Sequence, residues 1–295
     1  MKQVSIIIPA RNERFLNNTI QDLLKNMRGD TEIIPVLDGY EIPYAKIDDP
    51  RVRYVEHATA KGMRAAINSG VAASDGLFLM KIDGHCMVDE GFDVKLMADM
   101  QPNWIVIPRR KRLDADNWCI QDNGKPDVDY EYLSFPQESG DWGLHGKIWT
   151  DRILERKDKP EFDIDENMSF QGSCWFMNRS YFEFLDLMDE ANYGIFVNEA
   201  QELGLKAWLS GGKVMINKKT WYAHLHKGKK HGRGYRIREQ EIVKGKTFVN
   251  KWLDNSTGWK KQALPFSWII EHFSPVPSWP SDWKDKFPLC TTLAS

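Results

Sequence analysis

The residues with the clearest chemical potential are Asp83 and His85, which follow a short apolar run at 77–82. The run predicts a buried strand. Alternate residues of an extended chain point to the same side, so this carboxylate and imidazole can converge at the end of the strand. Such a pair suits a divalent ion that holds a phosphate-bearing substrate. Far along the chain, the segment 221–226, which contains His224 and His226, could supply a third ligand.

Each of these residues also has a simpler interpretation. Asp83 and Gly84 can form a polar turn that leaves His85 on the surface, because short motifs often occur by chance. His226 alternates with His224 along an extended segment, so both side chains can face the same side. We predict that His226 lies near the phosphate or the acceptor, and its alternative is a solvated loop histidine.

The elements that must position these residues follow an alternating pattern. Apolar runs predict strands at 4–8, 32–37, 51–55 and 77–82, and helical spacing predicts helices at 17–27 and 61–73. The alternation favours parallel β-α-β units, whose ligands gather beyond the carboxyl ends of the strands. Residues 9–11, 38–39 and 83–85 all follow predicted strands. We therefore expect them at one edge of the sheet.

The remainder of the chain predicts further elements and a two-part organisation. Strands are expected at 104–108, 169–177 and 213–217, helices at 181–189, 198–209 and 237–253, and a polar insertion over the sheet at 111–165. We predict a catalytic domain at 1–250. Residues 251–295 are predicted to form a C-terminal extension, rich in Trp and Pro, that packs on this domain.

Charge and cysteine content limit the possible partners. The 295 residues have a net charge of −2, which gives no general electrostatic argument for nucleic acid. Two segments, 109–112 and 227–238, are nevertheless strongly basic. The four cysteines lie far apart without a CxxC pair, which favours reduced thiols. With no apparent membrane segment, we expect a cytoplasmic protein, in the host cytoplasm if a phage encodes it.

The order of the motifs resembles family 2 glycosyltransferases of the GT-A fold. Within that group, the chain is most similar to polypeptide N-acetylgalactosaminyltransferases and their soluble phage and bacterial relatives. The resemblance covers residues 3–250 and implies an α/β fold with a mixed, mainly parallel sheet flanked by helices. The motifs lie at residues 7–13, 38–39, 61–70, 83–85, 171–175, 198–202, 208–212 and 223–227.

The resemblance implies a role for each matching position. Asp83, His85 and His224 would bind the metal, and Glu13 or Asp38 would contact uridine or ribose. The implied catalytic residues are Arg64 near the diphosphate, Lys227 over it, and the acceptor-facing pair Glu199 and Glu202. The implied nucleotide-sugar site comprises Pro9, Ala10, Arg11, Glu13, Asp38, Gly62, Arg64, Asp83, Gly84, His226, Lys227 and Tyr235.

Transfer from a sugar nucleotide requires stabilisation of the departing diphosphate, which a divalent cation provides. Histidine ligands favour Mn²⁺, with Mg²⁺ as the alternative. Glu199 and Glu202 lie one helical turn apart. One of them can act as a base for inversion, or both can orient the acceptor with retention, which the resemblance favours. Alternatively, both simply favour a helix N-terminus.

These observations predict a metal-dependent hexosyltransferase that uses a UDP-sugar. Its first candidate acceptor is a hydroxylated pyrimidine, such as 5-hydroxymethylpyrimidine, in phage DNA. The two basic segments would track the DNA backbone, and Tyr235 would offer a stacking face. Segment 227–238 can equally be a mobile loop that closes over the diphosphate, or a solvated stretch.

Two alternatives remain. The acceptor can be a saccharide or a protein Ser/Thr hydroxyl. In a different functional class, the chain would be an inactive GT-A fold that binds carbohydrate or nucleic acid. The complete set of three metal-ligand candidates argues against the inactive form, because a binding module has no need of it.

Overall fold

One large sheet organises the chain in the computed structural model, which describes residues 2–136 and 143–287. Eight of its ten strands are hydrogen-bonded in the order β10-β12-β6-β11-β4-β1-β2-β3. The other two are β5, which pairs with β12, and β7, which pairs with β6. A separate hairpin pairs β8 with β9. The strands are β1 (Val4–Ala10), β2 (Thr31–Asp38), β3 (Val55–His57), β4 (Phe78–Ile82), β5 (Cys86–Val88), β6 (Trp104–Asp114), β7 (Cys119–Ile120), β8 (Glu131–Ser134), β9 (His145–Ile148), β10 (Ile164–Glu166), β11 (Cys174–Asn178) and β12 (Lys213–His224).

Helices cover both faces of this sheet. None of those described combines the length and apolar character that a membrane crossing requires. The α-helices are α1 (Leu16–Asn26), α2 (Met63–Ala72), α3 (Phe92–Ala98), α4 (Thr150–Glu155), α5 (Arg179–Phe184), α6 (Glu190–Tyr193), α7 (Glu199–Leu209), α8 (Gly228–His231), α9 (Glu239–Val249), α10 (Phe266–His272) and α11 (Trp283–Lys286).

The predicted parallel β-α-β core is confirmed. Strand β1 pairs in parallel with β2 and β4, and β2 pairs in parallel with β3. The carboxyl ends of these strands therefore meet at one edge of the sheet. Beyond β4, antiparallel β11 makes the sheet mixed, and β6 and β12 are again parallel to each other.

Strand β1 shows why the sheet is buried on both faces. Ile6 and Ile8 pack in one hydrophobic cluster with Leu16 of α1, whereas Ile7 packs in another with Ala66 of α2. Alternate side chains of a strand point to opposite faces, so a continuous apolar run requires a helix on each side. The residues after β1 are thereby held between two packed layers.

Several predicted elements have different bounds. The third strand lies at Val55–His57 instead of 51–55, and the helix predicted at 181–189 is the shorter α5. The insertion predicted at 111–165 contains the end of β6 and the hairpin of β8 and β9. Strand β12 continues to His224, well beyond the predicted 213–217. This extension matters because it fixes His224 in the sheet.

The C-terminal region shares the main hydrophobic core. Trp252 and Phe266 are fully buried in the cluster that also contains Leu203 and Trp208 of α7. The domain boundary between 250 and 251 stays a prediction, and residues 288–295 of the proposed extension lie outside the described residues. Burial of this kind indicates that the described part of the tail contributes to stability.

We predict that Phe266→Ala lowers the free energy of unfolding by about 3–5 kcal/mol, because it opens a cavity in a packed core. The matched control is Phe184→Ala, whose ring is 45% exposed and whose loss is expected to cost less than about 1 kcal/mol. Urea titration of both variants measures the difference. Equal effects would show that the tail is not an integral part of the core.

Candidate functional site

The three predicted metal ligands lie together. The ligating atoms of Asp83, His85 and His224 are all within 4.8 Å of one another. His224 Nε2 lies 3.1 Å from His85 Nε2 and 3.3 Å from Asp83 Oδ2. Asp83 follows β4, His85 precedes β5 and His224 ends β12, so three strands position the cluster.

Gly84 allows this local geometry. A Cβ atom at position 84 would lie 2.7 Å from Glu13 Cγ, closer than real carbon contacts. The Glu13 side chain packs its Cγ in that space, and its Oε2 lies 3.0 Å from His85 Nδ1. A histidine whose Nδ1–H donates to a carboxylate turns its Nε2 lone pair towards the ligand site. Glu13 thus orients His85.

Protonation in the cluster fits a cation. Burial lowers the pKa of His224 to about 3, against the opposing effect of Asp83, so its imidazole is neutral at physiological pH. Burial would raise the pKa of Glu13, but the hydrogen bond with His85 and the charge of Lys227 lower it. Two imidazole nitrogens 3.1 Å apart must be joined by a proton or a cation. One carboxylate and two imidazoles form a mixed oxygen and nitrogen donor set that suits a divalent transition-metal ion such as Mn²⁺.

Lys81 is a site residue that the sequence analysis missed. Its side chain is 1% exposed, and its Nζ donates to Asp83 Oδ1 at 2.7 Å, to Glu199 Oε2 at 3.2 Å and to the carbonyl of Gly172 at 2.5 Å. Burial would lower the pKa of Lys81, but the two carboxylates raise it above its ordinary value. The available signal was a lysine inside the apolar run 77–82.

A cavity of about 660 Å³ opens over the cluster. The basic segment 227–238 borders it: the Arg11 guanidinium lies 4.8 Å from the centre of the Tyr235 ring, and Asn12 Nδ2 donates to the carbonyl of Gly234. The predicted site residues that line the cavity are Pro9, Ala10, Arg11, Glu13, Asp38, Gly62, Asp83, Gly84, His85, Glu199, His224, His226, Lys227 and Tyr235.

Arg64 and Glu202 are not among the described residues that line the cavity, and the roles that the resemblance implies for them stay predictions. Both are fully buried and form an ion pair with each other, outside the described lining of the cavity. Glu202 also accepts from Lys206 Nζ and from the backbone amide of Asp189, each at 2.9 Å. Through its ion pair with Arg64, Glu202 joins α7 to α2.

Asp38 and Glu13 are also more fully engaged than predicted. The Asp38 carboxylate accepts from the backbone amides of Lys61 and Gly62 at 2.7 and 2.9 Å, and its Oδ1 lies 2.8 Å from His57 Nδ1. It therefore holds the turn before α2. Glu13 Oε2 accepts from Lys227 Nζ at 2.7 Å. A contact of either carboxylate with uridine or ribose stays a prediction.

Three of the four basic residues of segment 109–112 are paired with acidic residues. Arg109 forms a bidentate pair with Asp129, with both distances 2.9 Å, and Arg110 pairs with Glu131 at 2.8 Å. Lys111 pairs with Asp127 at 2.9 Å. The acidic residues return to β6 because residues 110 and 128 form a β-bridge. Arg112 donates instead to the carbonyl of Pro126, so the cationic surface expected for DNA is reduced to this one charge in the described segment.

Comparison with known proteins supports the resemblance. The chain is 23% identical to "Putative polypeptide N-acetylgalactosaminyltransferase 13" of Drosophila melanogaster, over 92% of this chain and 56% of that protein. It is 27% identical to "Polypeptide N-acetylgalactosaminyltransferase 11" of Xenopus tropicalis, over 73% of this chain and 37% of that protein. The chain thus spans about half the length, or less, of these curated relatives.

Solved structures share the fold. The crystal structure of GalNAc-T7 with UDP, GalNAc and Mn²⁺ superposes with a TM-score of 0.71 at 18% identity, over 98% of this chain and 58% of that chain. S. aureus TarS 1-349 in complex with UDP-GlcNAc gives a TM-score of 0.54 at 12% identity, over 96% and 76%. The predicted GT-A-like fold is therefore confirmed. The family model "Glycosyl transferase family 2" matches residues 5–185, more than half of the chain, and the chain belongs to that family.

Proposed function

We propose that this protein is a metal-dependent glycosyltransferase that moves a sugar from a UDP-sugar to an acceptor hydroxyl. The observation that carries the proposal is the cluster of Asp83, His85 and His224, oriented by Glu13, at the edge of the sheet where β1, β2 and β4 end. Family membership and the UDP-containing structural neighbours support it. An inactive binding module would gain nothing from this buried donor set.

The metal that best fits is Mn²⁺, with Mg²⁺ as the weaker alternative. Asp83, His85 and His224 would hold it, and two of the three donors are nitrogens, which Mg²⁺ disfavours. The bound ion would neutralise charge on the departing diphosphate. The GalNAc-T7 crystal structure contains UDP and Mn²⁺, which supports the same choice here.

The chain's own residues would bind and orient the substrates. Lys227 and His226 line the cavity beside the cluster, so we place them at the diphosphate. Glu199 is the remaining candidate for the acceptor side. Its Oε1 accepts from Trp175 Nε1 at 2.8 Å, its Oε2 accepts from Lys81, and burial raises its pKa. Both oxygens are thus engaged, which favours an orienting role and the retaining outcome over a base that drives inversion.

For the acceptor, we place a protein Ser/Thr or saccharide hydroxyl ahead of modified DNA. The named relatives are polypeptide N-acetylgalactosaminyltransferases, and in segment 109–112 three of the four charges that a DNA backbone would attract are paired with acidic residues. Segment 227–238 is partly paired as well: Lys230 contacts Asp116, and the Arg233 guanidinium lies 4.4 Å from the centre of the Phe196 ring.

Asp83→Asn is expected to abolish the effect of Mn²⁺ on UDP binding, because it removes the charged ligand of the cluster. In the unmodified protein, Mn²⁺ should raise UDP affinity by roughly tenfold or more. Isothermal titration with and without Mn²⁺ measures both. Asp99→Asn, which alters a surface ion pair with Lys219, is the control. A persistent Mn²⁺ effect in Asp83→Asn would disprove the site.

Glu13→Gln is expected to weaken Mn²⁺ binding by roughly 10- to 100-fold, because the amide orients His85 less firmly than the carboxylate does. Glu32→Gln is the matched control: Glu32 is also buried, and it accepts from the Ser5 hydroxyl on the amino-terminal side of β1. Titration of the metal-free proteins with Mn²⁺ measures the affinities. Equal affinities for both variants would contradict the orienting role of Glu13.

A panel of UDP-sugars tested against three acceptor classes should give transfer to peptides or oligosaccharides. The classes are Ser/Thr peptides, oligosaccharides, and duplex DNA with and without 5-hydroxymethyl pyrimidines. Mass spectrometry of intact peptides, glycans and released nucleosides identifies the product. Transfer to hydroxymethylated DNA alone would overturn our order of acceptors and restore the DNA hypothesis.

A further inference from the structure

The buried Lys81 ammonium joins two carboxylates that serve different parts of the site. It bonds Asp83 Oδ1, leaving Oδ2 towards the histidines, and it bonds Oε2 of Glu199, which also lines the cavity. The carbonyl of Gly172 completes its three hydrogen bonds. All three N–H donors of Lys81 Nζ are used, and the side chain is only 1% exposed. It therefore has little freedom to move away.

The three acceptors around Lys81 Nζ place an ammonium group beside the proposed cation site. The Asp83 carboxylate, which would bind a divalent ion, is already compensated by Lys81, and Lys227 compensates Glu13 in the same way. Repulsion between an ammonium group and a divalent ion across one shared carboxylate exceeds the contribution of a single hydrogen bond. The net effect of Lys81 on metal affinity is therefore unfavourable, although it holds Asp83 in place.

We propose that Lys81 is a positioning residue that holds Asp83 for the metal and lowers metal affinity until a diphosphate is bound. The inference rests on the function proposed above. A nucleotide diphosphate carries the negative charge that offsets Lys81, so ion and nucleotide each raise the affinity of the other by the same factor. The protein would thus capture the metal together with its donor instead of storing it.

The test measures Mn²⁺ binding to the metal-free protein by isothermal titration, with and without UDP. Lys81→Met should bind Mn²⁺ roughly tenfold more tightly than the unmodified protein in the absence of UDP, and UDP should increase that affinity less. Glu199→Gln should shift the affinity in the opposite direction, about fivefold weaker, because it leaves the Lys81 charge less compensated.

The double variant Lys81→Met/Glu199→Gln removes one charge of each sign. Its Mn²⁺ affinity should lie within about threefold of the unmodified protein. The double variant also provides the test if Lys81→Met alone fails to fold. It leaves only the Asp83 carboxylate without its lysine partner, whereas Lys81→Met leaves both Asp83 and Glu199 without one. The control is Lys206→Met, another buried lysine that pairs with Glu202 outside the described lining of the cavity. Its Mn²⁺ affinity should be unchanged.

The outcomes separate the two proposals. Unchanged or weaker Mn²⁺ binding by folded Lys81→Met overturns the role of Lys81, as does a double variant whose Mn²⁺ affinity differs from that of the unmodified protein by more than about threefold. Failure of the unmodified protein to bind Mn²⁺ even with UDP would instead overturn the proposed function. A merely structural lysine would not give opposite shifts that cancel in the double variant.

Discussion

The register between β5 and β12 is the constraint on which the site depends. Cys86 pairs with His224, and this pairing brings two histidine side chains together across 139 residues of chain. Side chains alternate between the faces of a sheet, so a slip of one residue would turn His224 away from Asp83. The irregularity in the pairing of β12 with β6, between Asn217 and Trp221, sets the phase of the last residues of β12.

The sequence predicts those parts of the site that depend on local geometry. The strand ends after β1, β2 and β4 follow from apolar runs, and the convergence of Asp83 and His85 follows from their spacing. The direction of the Arg64 and Glu202 side chains could not be predicted, because it depends on how α2 and α7 pack. Lys81 was hidden by its apolar neighbours, since its partner Glu199 lies 118 residues away.

The exposure of charged residues is equally hard to predict from the sequence. A cluster of basic residues in a sequence predicts an exposed cationic surface only if the fold leaves it exposed. Here the acidic residues of 127–131 return beside β6 and pair with Arg109, Arg110 and Lys111. The parallel core and the convergence of Asp83, His85 and His224 could thus be predicted from the sequence, because they depend on strand ends and spacing. The choice of acceptor depends on the charges that remain around the cavity. Those charges depend on ion pairs between residues far apart in the chain, which the sequence pattern does not reveal.

The close packing of Gly84 against Glu13 has a consequence for sequence variation. A side chain at position 84 and a glutamate at position 13 in its present conformation compete for one space. Any larger residue between Asp83 and His85 must therefore displace the group that orients His85. Gly84 and Glu13, which are 71 positions apart in the chain, therefore constrain each other. A substitution at one of them must be designed together with the residue at the other.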